Sequence, residues 1–89
     1  MAWQIEFEAG ALKDLKKLDR EVAKRITSFL KTRIVGLENP RSIGSALKGA
    51  ELGELWRYRA GDYRIICEIR DRELVILAIS IGHRREVYR

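Results

Sequence analysis

The sequence has 89 residues, 46% hydrophobic and 35% charged, and its 18 Lys and Arg residues outnumber 13 Asp and Glu residues to give a net charge of +5. A chain of this length forms one domain, predicted over residues 1–89, and excludes a deep multi-layer cleft. Its single cysteine, Cys67, and single histidine, His83, exclude an internal disulfide and a cysteine-based zinc site, so no metal and no other cofactor is expected. Without a signal-peptide pattern or a membrane-length apolar stretch, the sequence predicts a cytoplasmic protein with no membrane partner.

The first half of the chain is predicted to form one strand and two helices. Strict alternation of apolar and polar residues over residues 3–8 is typical of a half-buried strand. Leucines at helical spacing from position 12 to position 18 predict a first helix. Asp19 is a suitable N-cap for a second helix, which Gly36 ends. Because the two helices are nearly contiguous, we expect an antiparallel helical hairpin.

The second half is predicted to form three antiparallel strands after an irregular segment that begins at the Asn39-Pro40 turn signal. The expected strands cover residues 52–60, 63–70 and 73–81, with two-residue turns at 61–62 and 71–72. The last of these strands is apolar on both faces, so it should be central or covered on both sides, and Gly82 should end it. The predicted order is β-α-α-β-β-β, an α+β fold in which the helices pack on one face of a four-stranded sheet.

Three arginines of the first predicted hairpin should share one face of the sheet. With a two-residue turn at 61–62, Arg59 lies opposite Arg64, and Arg57 lies opposite Ile66. Like charges directly opposite each other are destabilising, so a fold that accepts them is expected to bind an anion. The arginine fork binds phosphate with two parallel hydrogen bonds and stays charged at any working pH. The alternative interpretation is a solvated strand face with no ligand.

The C-terminal residues can fold back beside this hairpin and add His83, Arg84, Arg85 and Tyr88, although a frayed basic terminus is the alternative. The combined set fits metal-free RNA cleavage, in which the ribose 2′-OH attacks the adjacent phosphate and the 5′-oxygen leaves. This reaction needs a base, a proton for the leaving group and positive charge around the phosphorane. Tyr88 could be the base if arginines lower its pKa, and His83 is the more conventional candidate. DNA lacks the 2′-OH, so the chemistry would be specific to RNA.

Short motifs spread along the chain form a recurring pattern. In order, they are FEA and ALKDLKKL near the N-terminus, NPR, LKG, WRYR, GDYRII and GHRREVY. Together they resemble the RelE branch of the RelE/ParE toxin superfamily over nearly the whole chain. The resemblance implies a toxin of a type II toxin–antitoxin pair that enters the ribosomal A site and cleaves mRNA there without a metal.

The resemblance also implies roles for individual residues. The two basic strand residues of the family fall on Arg57 and Arg59, its phosphate-steadying arginine on Arg64, its arginine after the last strand on Arg84, and its proposed general base on Tyr88. The prototype has lysines at the first two positions, which keeps the charge but changes the options for proton transfer.

Further contacts with the substrate are expected from residues near these positions. His83 and Arg85 are candidates for catalysis or substrate binding, and Lys48 and Arg89 are candidates for RNA binding. The implied partners are the ribosome, mRNA and a cognate antitoxin with an acidic, partly disordered segment, so a toxin–antitoxin hetero-oligomer is expected.

Two other functions compete with this one. A ParE-like toxin would share the fold but inhibit DNA gyrase and lack a nuclease site; such chains generally lack the full set of arginines with a terminal tyrosine. A non-enzymatic RNA-binding module would present aromatic side chains for stacking, whereas strand parity turns Trp56 and Tyr58 toward the core.

Overall fold

The computed structural model describes residues 3–47 and 54–83. Its elements, in chain order, are strand β1 (Gln4–Phe7), helix α1 (Ala9–Lys17), helix α2 (Arg20–Ser28), a π-helical turn (Phe29–Ile34) that continues α2, and strands β2 (Ser45–Ala46), β3 (Leu55–Ala60), β4 (Tyr63–Arg70) and β5 (Val75–His83). The predicted α+β class is therefore confirmed. Among the described residues, no helix is both long and apolar enough to cross a membrane.

The break between the two helices is set by local chemistry. The backbone of Leu18 is extended, which ends α1, and the side chain of Asp19 accepts a hydrogen bond from the backbone N–H of Glu21 at 3.2 Å. The predicted N-cap is confirmed, and Glu21 adds a negative charge to the first turn, where the helix dipole favours it.

The sheet has five strands in the order β1-β5-β4-β3-β2, so the predicted count of four is wrong. The additional strand, β2, is two residues long and pairs with β3 inside the segment that was expected to be irregular. A strand this short carries no measurable alternation, which is why the sequence did not reveal it. β1 pairs in parallel with β5, which places β5 between β1 and β4 and confirms its predicted interior position.

The loop between β4 and β5 is longer than expected. The Arg70–Val75 pair closes a four-residue loop, in which Leu74 adopts a positive φ of 55°, so the predicted two-residue turn at 71–72 is wrong. β5 correspondingly begins at Val75 and extends through His83, two residues beyond the predicted end of the strand at Ile81, so Gly82 does not terminate it. β3 begins at Leu55 in the described part of the chain, and residues 52 and 53 of the predicted strand lie outside it.

The core lies between the helices and one face of the sheet. The fully buried side chains include Ile26, Leu30 and Ile34 from the helical segment, and Tyr58, Ile65 and Ile76 from the strands. Burial of each large apolar side chain stabilises the fold by about 1.5–3 kcal/mol. Trp56, which was predicted to face the core, is partly buried against it, as are Ile5 and Phe29. Cys67 is fully buried, and this burial raises the pKa of its thiol to about 12.

A β-bulge shapes the end of β5. The β4–β5 pairing shifts register between Ile66 and Cys67. Just beyond this shift, the backbone N–H of Ile81 donates a hydrogen bond to Asp14 Oδ2 of helix α1 at 2.9 Å. Bulges bend a strand and are common beside functional sites. The Asp14 carboxylate thus connects helix α1 to β5 beside the bulge.

Candidate phosphate-binding cleft

The β3–β4 hairpin brings the three predicted arginines onto one face. Arg59 pairs with Arg64 and Arg57 pairs with Ile66, as the sequence parity predicted. Gly61 forms the two-residue turn with a φ of +61°, a conformation that glycine adopts without strain. The register therefore places two arginines directly across the hairpin from each other.

The three guanidinium groups differ in exposure. Arg64 is buried, with only 6% of its surface exposed, Arg57 is half-buried and Arg59 is exposed. Arginine cannot lose its proton in a protein, so Arg64 is a permanently charged group inside the structure. Its guanidinium is more weakly hydrated than an ammonium, which makes arginine the cation best suited to this position.

Strand β2 orients one of these arginines. Ser45 pairs with Arg57 across the β2–β3 ladder, and Arg57 Nη2 donates a hydrogen bond to Ser45 Oγ at 3.0 Å. Because both residues lie on the same face, the hydroxyl restricts the directions in which the guanidinium can point. Sequence analysis missed Ser45, since nothing in the sequence marks a two-residue strand.

The arginines line an open cleft of about 450 Å³. Its walls are formed by Phe29, Arg33, Ile43, Gly44, Ser45, Arg57, Tyr58, Arg59 and Arg64. Four of these residues are arginines, and no carboxylate is among the described residues that line the cleft. A concave surface lined by one sign of charge concentrates the field and attracts ions of the opposite sign. The sequence analysis identified neither Phe29 nor Arg33 as a site residue.

Core-facing aromatic residues of β3 hold the loop that forms one wall. Trp56 Nε1 donates to the backbone carbonyl of Ile43 at 2.7 Å, and the Tyr58 hydroxyl donates to the carbonyl of Pro40. Burial raises the pKa of Tyr58, so its hydroxyl keeps the proton that it donates. The alternation along β3 thus places its arginines on one face of the strand and the aromatic anchors of the loop on the other, and Tyr58 also contributes to the cleft wall.

An ion pair also holds the same loop. Arg41 Nη1 and Nη2 donate to the two carboxylate oxygens of Asp71 at 2.8 and 2.9 Å. The hydrogen bond from Arg41 lowers the pKa of the Asp71 carboxyl below its ordinary value of 3.8. The backbone N–H of Arg41 donates to Asn39 Oδ1 at 2.9 Å, which closes the turn that the Asn39-Pro40 signal predicted.

Gly44 allows the loop to approach β3 closely. Its φ is +82°, and a Cβ at this position would lie 2.4 Å from the carbonyl oxygen of Arg57. Any other residue would have to move the loop away from the strand. The close approach places the Ser45 hydroxyl within reach of Arg57.

Of the remaining predicted site residues, His83 lies in the described part of the chain, and it does not line this cleft. His83 pairs with Tyr63, their rings meeting edge to face with centroids 5.5 Å apart. Since Tyr63 and Arg64 are consecutive in β4, their side chains point to opposite faces, and His83 shares the face of Tyr63. The predicted residues Lys48, Arg84, Arg85, Tyr88 and Arg89 lie outside the described residues. In the described ranges, no cluster of three or more His, Cys, Asp or Glu side chains could hold a metal ion.

Comparison with known proteins identifies the family. The family described as ParE toxin of type II toxin–antitoxin system, parDE, matches residues 5–88. The mRNA interferase toxin RelE of Escherichia coli (strain K12) is 33% identical over 90 residues, which cover 99% of this chain and 92% of that protein.

Solved structures agree with this match. The free state of a double arginine-to-alanine mutant of E. coli RelE matches with a TM-score of 0.77 at 27% identity, covering 99% of this chain and 92% of that one. A chain of the intact E. coli RelBE toxin–antitoxin complex matches with a TM-score of 0.73 at 26% identity, covering 92% and 96%. The chain therefore belongs to the RelE/ParE family and is a toxin of a type II toxin–antitoxin system.

Proposed function

We propose that this toxin is a ribosome-dependent endoribonuclease, which cleaves mRNA in the ribosomal A site and thereby inhibits translation. The observation that carries the proposal is the cleft in which four arginines and no described carboxylate surround a space of about 450 Å³. A relative in E. coli is named an mRNA interferase toxin, which supports the same activity here.

In the proposed reaction, the ribose 2′-OH attacks the adjacent phosphorus, and the bond to the 5′-oxygen breaks. The products are a 2′,3′-cyclic phosphate and a free 5′-OH, so the cleavage step consumes no water, and it is proposed to proceed without a metal. Arg64, Arg59 and Arg57 stabilise the charge that develops on the phosphorane. Because Arg64 is buried, its guanidinium is preorganised and little water needs to be displaced when the phosphate binds.

The C-terminal residues are assigned to removal of the 2′-OH proton and to charge stabilisation. We propose Tyr88 as the base that takes the 2′-OH proton and Arg84 as a further source of positive charge, while the departing 5′-oxygen takes its proton from a solvent water molecule. His83 is the competing base, but its ring lies against Tyr63 on the other face of the sheet from Arg64. Arg85, Lys48 and Arg89 are proposed to contact the RNA backbone, since basic side chains neutralise phosphates.

An antitoxin partner is proposed from charge and from the relatives. E. coli RelE has been solved in a toxin–antitoxin complex with RelB. This chain carries a net charge of +5, and a partner that covers the cleft must match its arginines. We therefore expect an acidic, partly disordered antitoxin segment that folds on binding and forms a hetero-oligomer with the toxin.

Inhibition of DNA gyrase is the second candidate function, since the matching family is described by its ParE toxin.

One experiment distinguishes mRNA cleavage from gyrase inhibition. Purified toxin is incubated with ribosomes that hold a defined mRNA, with the free mRNA, and with gyrase and plasmid DNA. We expect cleavage on ribosomes only. The Arg64→Ala and Tyr88→Phe variants should lose this cleavage. The control Arg72→Ala, which replaces an exposed arginine in the β4–β5 loop, should retain it. Trapped gyrase–DNA breaks without RNA cleavage would refute the nuclease proposal.

A further inference from the structure

The cleft has a second wall that the proposed chemistry does not use. Arg57, Arg59 and Arg64 belong to the β3–β4 hairpin, whereas Phe29 and Arg33 come from the π-helical turn after α2. These two residues are four positions apart, so their side chains lie on the same side of the helical turn. A side chain with an aromatic ring and one with a positive charge thus stand together in the cleft.

The turn holds this pair in position through its own packing. Leu30 and Ile34, also four positions apart, have no exposed surface, which fixes the rotation of the turn against the core. The backbone N–H of Val35 donates to the carbonyl of Leu30 at 3.2 Å, the wider hydrogen bond of a π-helix. Such turns occur frequently at functional sites. Phe29 directly precedes Leu30, and Arg33 directly precedes Ile34. The π-helical turn therefore places Phe29 and Arg33 at the cleft while Leu30 and Ile34 are buried.

The side chains of this wall are suited to bind a nucleotide, with its base and its phosphate, rather than a phosphate alone. Phe29 and Ile43 provide apolar surface, and Arg33 provides a charge that is exposed to solvent. The cleft volume of about 450 Å³ is within the range of roughly 300–1,000 Å³ typical of sites for whole small ligands. A single phosphate would need only one or two of the four arginines.

We infer that Phe29 and Arg33 form a second nucleotide subsite, which binds the nucleotide next to the scissile phosphate. The base lies against Phe29 and Ile43, and Arg33 neutralises the phosphate of that nucleotide. This inference rests on the proposed RNA substrate and extends it from one phosphate to a segment of at least two nucleotides. Contact between a base and an aromatic ring tolerates any base, so the subsite adds affinity without sequence preference.

Binding of an RNA that cannot be cleaved tests the subsite independently of catalysis. The probe is a fully 2′-O-methylated hexanucleotide, and its affinity for the isolated toxin is measured by NMR titration over a series of salt concentrations. Arg33→Gln should make the plot of log affinity against log salt shallower by about 0.7, the contribution of one phosphate on a single strand. Lys31→Gln removes the same charge from an exposed position of the same turn outside the cleft and should leave the slope unchanged.

The aromatic part of the subsite has its own signature. Phe29→Leu should weaken binding about fivefold with an unchanged salt slope, because no charge is removed. Since Phe29 also packs against the core, the thermal unfolding midpoint of each variant is measured to confirm that the protein is folded. In the ribosome assay, Arg33→Gln should raise KM with kcat within about twofold of the unmodified toxin, as expected for a group that binds substrate and transition state equally.

The outcomes separate this inference from the proposed function. If the ribosome assay shows no cleavage while the probe still responds to Arg33→Gln and not to Lys31→Gln, the nuclease proposal fails and the subsite stands. Equal salt slopes for Arg33→Gln and Lys31→Gln would overturn the subsite, even with cleavage intact. Absence of any binding of the hexanucleotide to the unmodified toxin would also overturn it.

Discussion

The buried charge of Arg64 separates this cleft from an ordinary basic surface. An exposed arginine such as Arg59 is stabilised by water and needs no ligand, whereas a buried cation loses part of its hydration. The fold accepts this cost directly opposite a second positive charge. Such an arrangement is expected where an anion will bind, because the bound anion offsets both the desolvation and the repulsion.

A substitution at Ser45 tests whether its hydroxyl orients Arg57 for cleavage. Ser45→Ala removes the hydroxyl that accepts from Arg57, so Arg57 samples more directions and the cleavage rate on ribosomes should fall about 3- to 10-fold. Loss of one partly buried hydrogen bond should lower the free energy of unfolding by only about 0.5–1.5 kcal/mol. Ser45→Thr retains the hydroxyl and should restore the rate. Ser42→Ala, at an exposed position of the same loop, is the control. Equal rates for Ser45→Ala and the unmodified toxin would show that Ser45 does not position Arg57.

At the scale of elements, the cleft is formed where the loop before β2 meets the β3–β4 hairpin. The sequence was sufficient for the hairpin, because a two-residue turn and strand alternation determine which arginines face each other. It was not sufficient for the opposite wall. Phe29 and Arg33 reach the cleft through tertiary packing against strands about 30 positions later in the chain, and no local periodicity records such a contact.

Two glycines with positive φ allow the loop geometry to be tested. Gly44→Ala should destabilise the fold by more than about 2 kcal/mol, since backbone strain of roughly 1 kcal/mol adds to a 2.4 Å clash with the Arg57 carbonyl. Gly61→Ala has a similar φ of +61° but meets no atom within 4 Å, so it should cost only about 1 kcal/mol. Urea unfolding of both variants measures the difference. Equal losses would mean that the close approach of the loop to β3 is unimportant.

The ion pair between Arg41 and Asp71 predicts a defined dependence on pH. The pKa of Asp71 is lowered in the folded state, so the pair stabilises the fold above the ordinary value of 3.8 and is lost as pH falls through the lowered pKa. The Asp71 side chain is 59% exposed, which limits the effect to under about 1 kcal/mol. Asp71→Asn should therefore reduce the free energy of unfolding slightly at pH 7, with the difference from the unmodified toxin shrinking as the pH falls below 3.8 and through the lowered pKa. A difference that persists unchanged into this acid range would contradict the ion-pair explanation.

At the scale of the whole molecule, a small basic protein can dispense with a deep active site if its partners provide the remaining surface. The net charge of +5 is a poor guide by itself, because exposed basic residues also cover the helices far from the cleft. The fold determines where part of this charge lies, because it brings four arginines from two different walls into one concave surface. The proposed substrate and the proposed antitoxin must then compete for the same charges.

This competition predicts how the antitoxin should act. An acidic antitoxin segment that covers the cleft should block RNA cleavage, and its affinity should fall as salt rises, because exposed charges are screened over about 8–10 Å at ionic strengths near physiological. Isothermal titration at several salt concentrations, with purified antitoxin, measures the dependence. Arg59→Ala should flatten this dependence, since Arg59 is the exposed arginine of the hairpin that lines the cleft, whereas Arg72→Ala, outside the cleft, should not. An affinity that does not change with salt would show that apolar contacts, rather than the arginine cleft, hold the antitoxin on the toxin.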